Sequence, residues 1–141
     1  MSELKRYLGI DYGTKRIGIA VSDPLGIIAR GIGVVANSST ALDEIRKYAE
    51  EYAVAAVVVG MPYTLKGDEG PAAIAVKAFM ERVRSVVSVE VLGWDERHTS
   101  SDAHEMLHAM GVKKKKRRVK ETIDRMAAAL ILQSFLDSHG K

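Results

Sequence analysis

The sequence predicts an α/β domain organised on a mixed β-sheet, and three observations carry that prediction. Leu8 to Asp23 reads as a hairpin: a short β-prone run, a glycine turn, then strict alternation of apolar and small residues. Ala53 to Val59 is almost wholly apolar and ends at Gly60, the pattern of a strand covered on both faces, as in a parallel sheet. Helical and strand periodicities then alternate along the rest of the chain.

Taken in order, Tyr7 to Ile10 forms the first strand and places a carboxylate, Asp11, where that strand ends. Gly13 and Thr14 reverse the chain, after which Ile17, Ile19 and Val21 alternate with Gly18, Ala20 and Ser22. Asp11 therefore lies on a sheet among small residues, with room for something polar and bulky to approach. An acid on a central strand is costly to bury unless it is paired or binds a cation, which makes Asp11 the first candidate for chemistry. Ile27 to Val35 is β-branched with Gly31 and Gly33 inside, a third and bent strand. Asn37 to Thr40 starts a helix whose Leu42, Ile45, Ala49 and Tyr52 recur at helical spacing. Met61 to Gly70, with Pro62, Gly67 and Gly70, is a loop.

Pro71 opens a second helix with an apolar stripe of Ala72, Ala75, Val76, Phe79 and Val83. Val86 to Trp94 is a further strand, stopping at Asp95, Glu96, Arg97 and His98. Thr99 or Ser100 caps a short helix closed by Gly111, with Ala103, Met106, Leu107 and Met110 facing inward. A basic run follows, expected to be exposed and mobile, and Glu121 to Ser138 is the last helix. No internal repeat or boundary divides residues 1–141, which read as a single domain.

Composition narrows the function classes. No apolar run is long enough to span a bilayer, and Met1 to Tyr7 lacks the apolar core of a signal peptide. With no cysteine, disulfides and thiolate metal sites are excluded, and a cytoplasmic location is expected. The net charge of +3 hides an asymmetry: Lys113, Lys114, Lys115, Lys116, Arg117, Arg118 and Lys120 supply seven of the 21 basic residues. Without them, 14 basic residues face 18 acidic ones, so a mildly acidic protein carries one dense anion-binding segment.

Two further acidic features accompany Asp11. Asp124 shares a helical stripe with Ala128, Ile131 and Phe135, so it sits on an inward face near the start of the last helix. It is either an acid favoured by the helix dipole or a carboxylate turned toward Asp11, with Ala127, Ala128 and Ala129 letting the helix lie close to the sheet. Asp95 and Glu96 end the last strand, where acids of α/β sheets commonly serve ligands, and only one of the two can face Asp11. Converging carboxylates repel unless a divalent cation lies between them, and oxygen donors without cysteine suit Mg²⁺ or Mn²⁺. An acid cluster beside a lysine-arginine segment points to phosphodiester chemistry on nucleic acid.

The chain resembles the YqgF/RuvX family, the pre-16S rRNA nucleases also described as Holliday-junction-resolvase-like. The matching pieces are Leu-Gly-Ile-Asp-Tyr-Gly-Thr-Lys-Arg-Ile-Gly from Leu8, Val-Val-Gly-Met-Pro at 58–62 and Gly-Asp-Glu-Gly-Pro at 67–71. Asp-Glu-Arg at 95–97 and Ile-Asp-Arg-Met-Ala-Ala-Ala-Leu-Ile-Leu-Gln-Ser at 123–134 complete them, in the family's order across nearly the whole chain. The resemblance implies a ribonuclease H-like fold, a mixed five-stranded sheet flanked by helices, and a metal-dependent nuclease in maturation of small-subunit ribosomal RNA. It carries the catalytic and metal-ligand roles onto Asp11, Glu96 and Asp124, with Mg²⁺ or Mn²⁺ as cofactor. Lys15, Arg16 and Arg97 become phosphate contacts, with Lys113 to Arg118 as a wider electrostatic guide. The implied partners are pre-rRNA or branched DNA and the small-subunit precursor, with no membrane. Either a monomer or a homodimer fits, the dimer matching the two-fold symmetry of a four-way junction. His98 departs from the apolar or aromatic residue usual in the family, and the basic run is denser than usual.

Three rival readings are weaker. His104-Glu105-Met106-Leu107-His108 matches the H-E-x-x-H zinc peptidase pattern, but its helix is short, the basic run follows directly, and only Glu121 and His139 offer loose third ligands. Ile-Asp-Tyr-Gly-Thr also resembles the phosphate loop of actin- and sugar-kinase-like ATPases, which bind ATP between two such domains where this chain supplies one. A non-catalytic RNA-binding assembly factor would use the basic segment equally well. Metal analysis of the purified protein is expected to find no tightly held zinc. Neutralising Lys113 to Arg118 is expected to weaken nucleic-acid binding across sequences and to flatten its salt dependence, measured as the slope of log affinity against log salt.

Overall fold

The structure, a computed structural model, describes residues 4–63, 66–98, 109 and 117–139. Its strands are β1 (Tyr7–Asp11), β2 (Arg16–Ser22), β3 (Ala29–Ala36), β4 (Ala56–Met61) and β5 (Glu90–Asp95). Its helices are α1 (Ala41–Glu51), α2 (Pro71–Arg84) and α3 (Arg117–His139), and a 3₁₀ turn spans Glu96–His98. The five strands form one sheet in the order β3-β2-β1-β4-β5. β1 pairs antiparallel with β2, and β2 with β3, while β1, β4 and β5 run parallel. The mixed sheet flanked by helices agrees with the expectation from sequence. The register shift between Ile19 and Ala20 is the bend expected in the third strand.

Alternation along the strands divides the core in two. Leu8, Ile10, Ile17, Ile19, Val57 and Val59 pack with Ile45 of α1 and Phe79 of α2 on one face. On the other face Ala20 and Val58 meet Ala128, Leu132, Phe135 and Leu136 of α3. The small residues of the first hairpin serve this second face. A Cβ on Gly18 would stand 2.1 Å from the Asp124 carbonyl oxygen, and one on Gly9 2.7 Å from Leu132 Cβ. Likewise a Cβ on Gly31 would stand 2.7 Å from Arg125 Cβ, and one on Gly60 2.6 Å from Ile131 Cδ1. The space beside Asp11 that the sequence reserves for an approaching group is thus filled in large part by α3 itself.

Several boundaries differ from expectation, each for a local reason. β3 starts at Ala29 rather than Ile27 because Asp23 Oδ1 accepts from the amides of Ile27 (2.8 Å) and Ile28 (2.9 Å). Gln133 braces the same loop, donating to the Ile27 carbonyl and accepting from the Ala29 amide, both at 2.8 Å. Leu25, Ile27 and Ile28 consequently face solvent. β4 starts at Ala56 because Ala53, at φ 49°, turns the chain out of α1. It runs on through Gly60 and Met61, which pair with Trp94 and Asp95, so the loop begins later than expected. The amides of Val86 and Val87 both bond the Val83 carbonyl at the end of α2, which delays β5 to Glu90. α3 begins at Arg117 rather than Glu121, so Arg117, Arg118 and Lys120 of the basic run are helical, contrary to the expected mobile segment. Lys113 to Lys116 and, apart from Ala109, the expected short helix before them with its His104 and His108 lie outside the described residues.

Gly18→Ala is expected to lower stability by about 1–3 kcal/mol, because α3 must lift from the sheet to admit the methyl group. Urea denaturation of the wild type and variant checks this.

Candidate active site

Asp11 ends β1 on the face that carries Gly9, beneath α3, opposite its ladder partner Gly18. The next side chain, Tyr12, goes to the other face and packs on Phe79 with ring centroids 4.4 Å apart, which fixes the strand end. Asn37, following β3, ties down the hairpin turn. Its Nδ2 donates to the Gly13 carbonyl, and its amide to the Lys15 carbonyl, both at 2.9 Å. Lys15 is exposed on this turn, directly beside the acid-bearing rim.

Strand parity separates Asp95 from Glu96. Trp94 faces α3, where its Nε1 donates to Ser134 Oγ at 2.9 Å. Gly93 faces the α2 side, where a Cβ would stand 2.9 Å from Met61 Cγ, and Asp95, two residues on, shares that side. The Asp95 carboxylate is spent on Arg97, accepting from its amide (2.9 Å), its Nε (2.9 and 3.0 Å) and its Nη2 (2.5 Å). The 3₁₀ turn carries Glu96 back to the α3 face, where a Cβ on Gly60 would lie 3.0 Å from Glu96 Oε2. Arg97, so anchored, spans the Tyr63 ring at 5.7 Å from its centroid.

Asp124 lies two turns into α3, beyond the reach of the dipole at the helix start, and the first turn holds no acid. Its Oδ2 accepts from Arg16 Nε at 2.6 Å. The two side chains keep 32% and 22% of their surface, so the pair is worth on the order of 1 kcal/mol and can exchange partners.

The electrostatics mark Asp11. Burial, then the charges of Glu96 and Asp124, push its carboxyl up to about 7. Glu96 is raised as well, by burial first and then by the charge of Asp95. Among the described residues no hydrogen-bond donor meets the Asp11 carboxylate. A half-buried carboxylate near other acids and without a donor has the chemistry that a hard divalent cation relieves, so Asp11 fits such an ion, and Glu96 adds a second carboxylate on the same face. With Asp124 turned to Arg16, the described residues form no group of three or more acidic or histidine side chains arranged to hold one.

The structure therefore brings Asp11, Glu96 and Asp124 to one rim, with Arg16 and Lys15 beside them, and sets Asp95 and Arg97 behind Glu96. Sequence reasoning missed the contributions of Gly60, Asn37 and the Trp94–Ser134 bond. Gly60 reads as a strand end and Asn37 as a helix start, and nothing local signals a bond across 40 residues.

Comparison with known proteins places this geometry in a family. The family model described as RuvX, Holliday junction resolvase, matches residues 5–138. A Geobacillus kaustophilus protein named "Putative pre-16S rRNA nuclease" is 44% identical over 137 residues, covering 94% of this chain and 98% of its own. A protein of the same name from Pelotomaculum thermopropionicum is 39% identical over 139 residues, covering 96% and 89%. Among solved structures, Thermus thermophilus RuvC in complex with a Holliday junction substrate superposes with a TM-score of 0.57 at 18% identity, over 96% of this chain and 95% of that one. The fowlpox virus Holliday junction resolvase gives 0.52 at 11% identity, over 94% and 99%. These likenesses establish a ribonuclease H-like, resolvase-type fold. The chain belongs to the RuvX family.

Proposed function

We propose that this protein is a metal-dependent nuclease that hydrolyses phosphodiester bonds of structured nucleic acid, acting on the pre-16S rRNA end during maturation of the small ribosomal subunit. The observation that carries this reading is Asp11, a half-buried carboxylate at the carboxyl end of β1 without a donor among the described residues, close enough to Glu96 after β5 and Asp124 on α3 to be raised by their charges. The names of the relatives supply the substrate class.

Asp11 and Glu96 would hold Mg²⁺ or Mn²⁺, with Asp124 as the third ligand once Arg16 leaves it. When bound, such a cation supplies charge to the phosphate and acidifies a water. The protein's own residues then position the strand. Lys15 and Arg16 offer cations from the hairpin, and Arg97 offers a guanidinium whose orientation Asp95 fixes. The Lys113–Arg118 segment raises the local concentration of polyanion. The working context is the cytoplasm, on the ribosomal precursor.

Asp11→Asn is expected to abolish Mg²⁺- or Mn²⁺-dependent cleavage while nucleic-acid binding persists. Incubating both proteins with pre-rRNA ends and with a four-way junction, each with Mn²⁺ or EDTA, tests this. Equal cutting by the variant overturns the reading, and junction cutting without rRNA cutting moves the substrate to branched DNA.

The same substitution changes stability with a defined sign. A carboxyl raised from 3.8 to about 7 by folding binds more protons in the native state than in the unfolded one across that window. The metal-free wild type therefore loses stability as pH rises from about 4 to about 7, by up to a few kcal/mol. Asp11→Asn is expected to be more stable than wild type at pH 8 and nearly equal to it at pH 4, read as Tm in EDTA.

A further inference from the structure

Arg16 meets Asp124 through Nε alone, at 2.6 Å to Oδ2. Among the described residues no acceptor meets its two Nη groups. The Arg16 side chain keeps 32% of its surface open to solvent, at the rim where Lys15 is also exposed. Arg16 starts β2 and Asp124 sits on α3, whose carbonyl at the same residue packs directly on Gly18 of β2, so the two backbones are held together by that contact and by the core beneath α3. The side chains alone can change partner.

A guanidinium on one carboxylate oxygen and a divalent cation on the other repel, so Arg16 and a metal compete for Asp124. A phosphate offers what Asp124 lacks: oxygens placed for both Nη groups, the bidentate geometry that guanidinium favours. Resting on the metal-centre reading above, we propose that Arg16 is a positioning residue that gates Asp124. Without nucleic acid it occupies the carboxylate and keeps the cation site incomplete. A backbone phosphate draws it away, Asp124 turns to the cation, and each ligand thereby strengthens the other, because coupling between two binding equilibria is reciprocal. The device ties completion of the metal site to the presence of substrate.

The test measures affinity rather than cleavage. Mn²⁺ binding is titrated by the loss of the free-ion EPR signal, with and without a saturating phosphorothioate RNA oligonucleotide, for wild type, Arg16→Gln, Arg16→Lys and Asp11→Asn. In wild type the oligonucleotide is expected to tighten Mn²⁺ binding about tenfold or more, within the usual range of coupling between sites. Arg16→Gln is expected to bind Mn²⁺ severalfold tighter than wild type without RNA and to retain only the small enhancement that phosphate gives by itself. Arg16→Lys, which keeps a cation able to leave Asp124 for phosphate, is expected to restore most of the coupling. An enhancement in Arg16→Gln equal to that of wild type overturns the gate while leaving the metal centre standing. Mn²⁺ binding that Asp11→Asn does not weaken overturns the metal centre, and the gate with it.

Discussion

Helix α3 reaches the sheet at backbone distance because Gly9, Gly18, Gly31 and Gly60 carry no side chains where it crosses four strands. Glycine inside a strand is unfavourable by roughly 0.5–1 kcal/mol relative to alanine, so four of them are a real concession of intrinsic stability. What they secure is placement. With its carbonyl against Gly18, Asp124 cannot drift from the strand that carries Asp11's ladder partner. The apolar side chains of α3, Ala128, Leu132, Phe135 and Leu136, recover stability by filling the second core. Trp94, bonded to Ser134 on this helix, brings the end of β5 into the same frame.

Within that frame the charges are arranged against their own comfort. Asp11 is half-buried beside two acids without a donor among the described residues, and Glu96 is half-buried next to Asp95. Adjacent residues serve opposite ends because the chain's two-residue alternation sends them to different faces. Asp95 spends its oxygens on Arg97 and orients it over Tyr63, while Glu96 turns toward the Gly60 cleft. Asp95 thus anchors a neighbouring side chain, while burial and the charge beside it raise the Glu96 carboxyl above its ordinary range.

The architecture was legible in the sequence because its signals are local. Alternation after the Gly13 turn, the run from Ala53 and the stripe on α2 each identify an element without reference to the rest of the chain, though on α2 Ala73 and Met80 are buried with Val76, Phe79 and Val83 while Ala72 and Ala75 face solvent. Element ends were less legible, since tertiary bonds decide them. The isoleucines at 27 and 28 have strand character, yet Asp23 captures their amides and Gln133, a hundred residues away, fixes the loop. The acids were identifiable as types and positions, Asp124 by its place on an apolar stripe. That Arg16 holds Asp124 was not, because the pair joins residues 108 apart and neither shows local periodicity for it. The choice between Asp95 and Glu96 needed the register of β5, which rests on Trp94 and Gly93 facing opposite ways.

The loop staked by Asp23 lies at the rim of the sheet opposite the acids, since β2 runs from Arg16 beside Asp124 to Ser22 at that loop. The two rims are joined through the paired strands and through α3, whose Gln133 holds this loop and whose Asp124 stands at the acid rim. The bonds of this loop run through backbone groups while the Leu25, Ile27 and Ile28 side chains point outward, so exchange of those side chains leaves the seat of α3 untouched and one end of the molecule open to diversify.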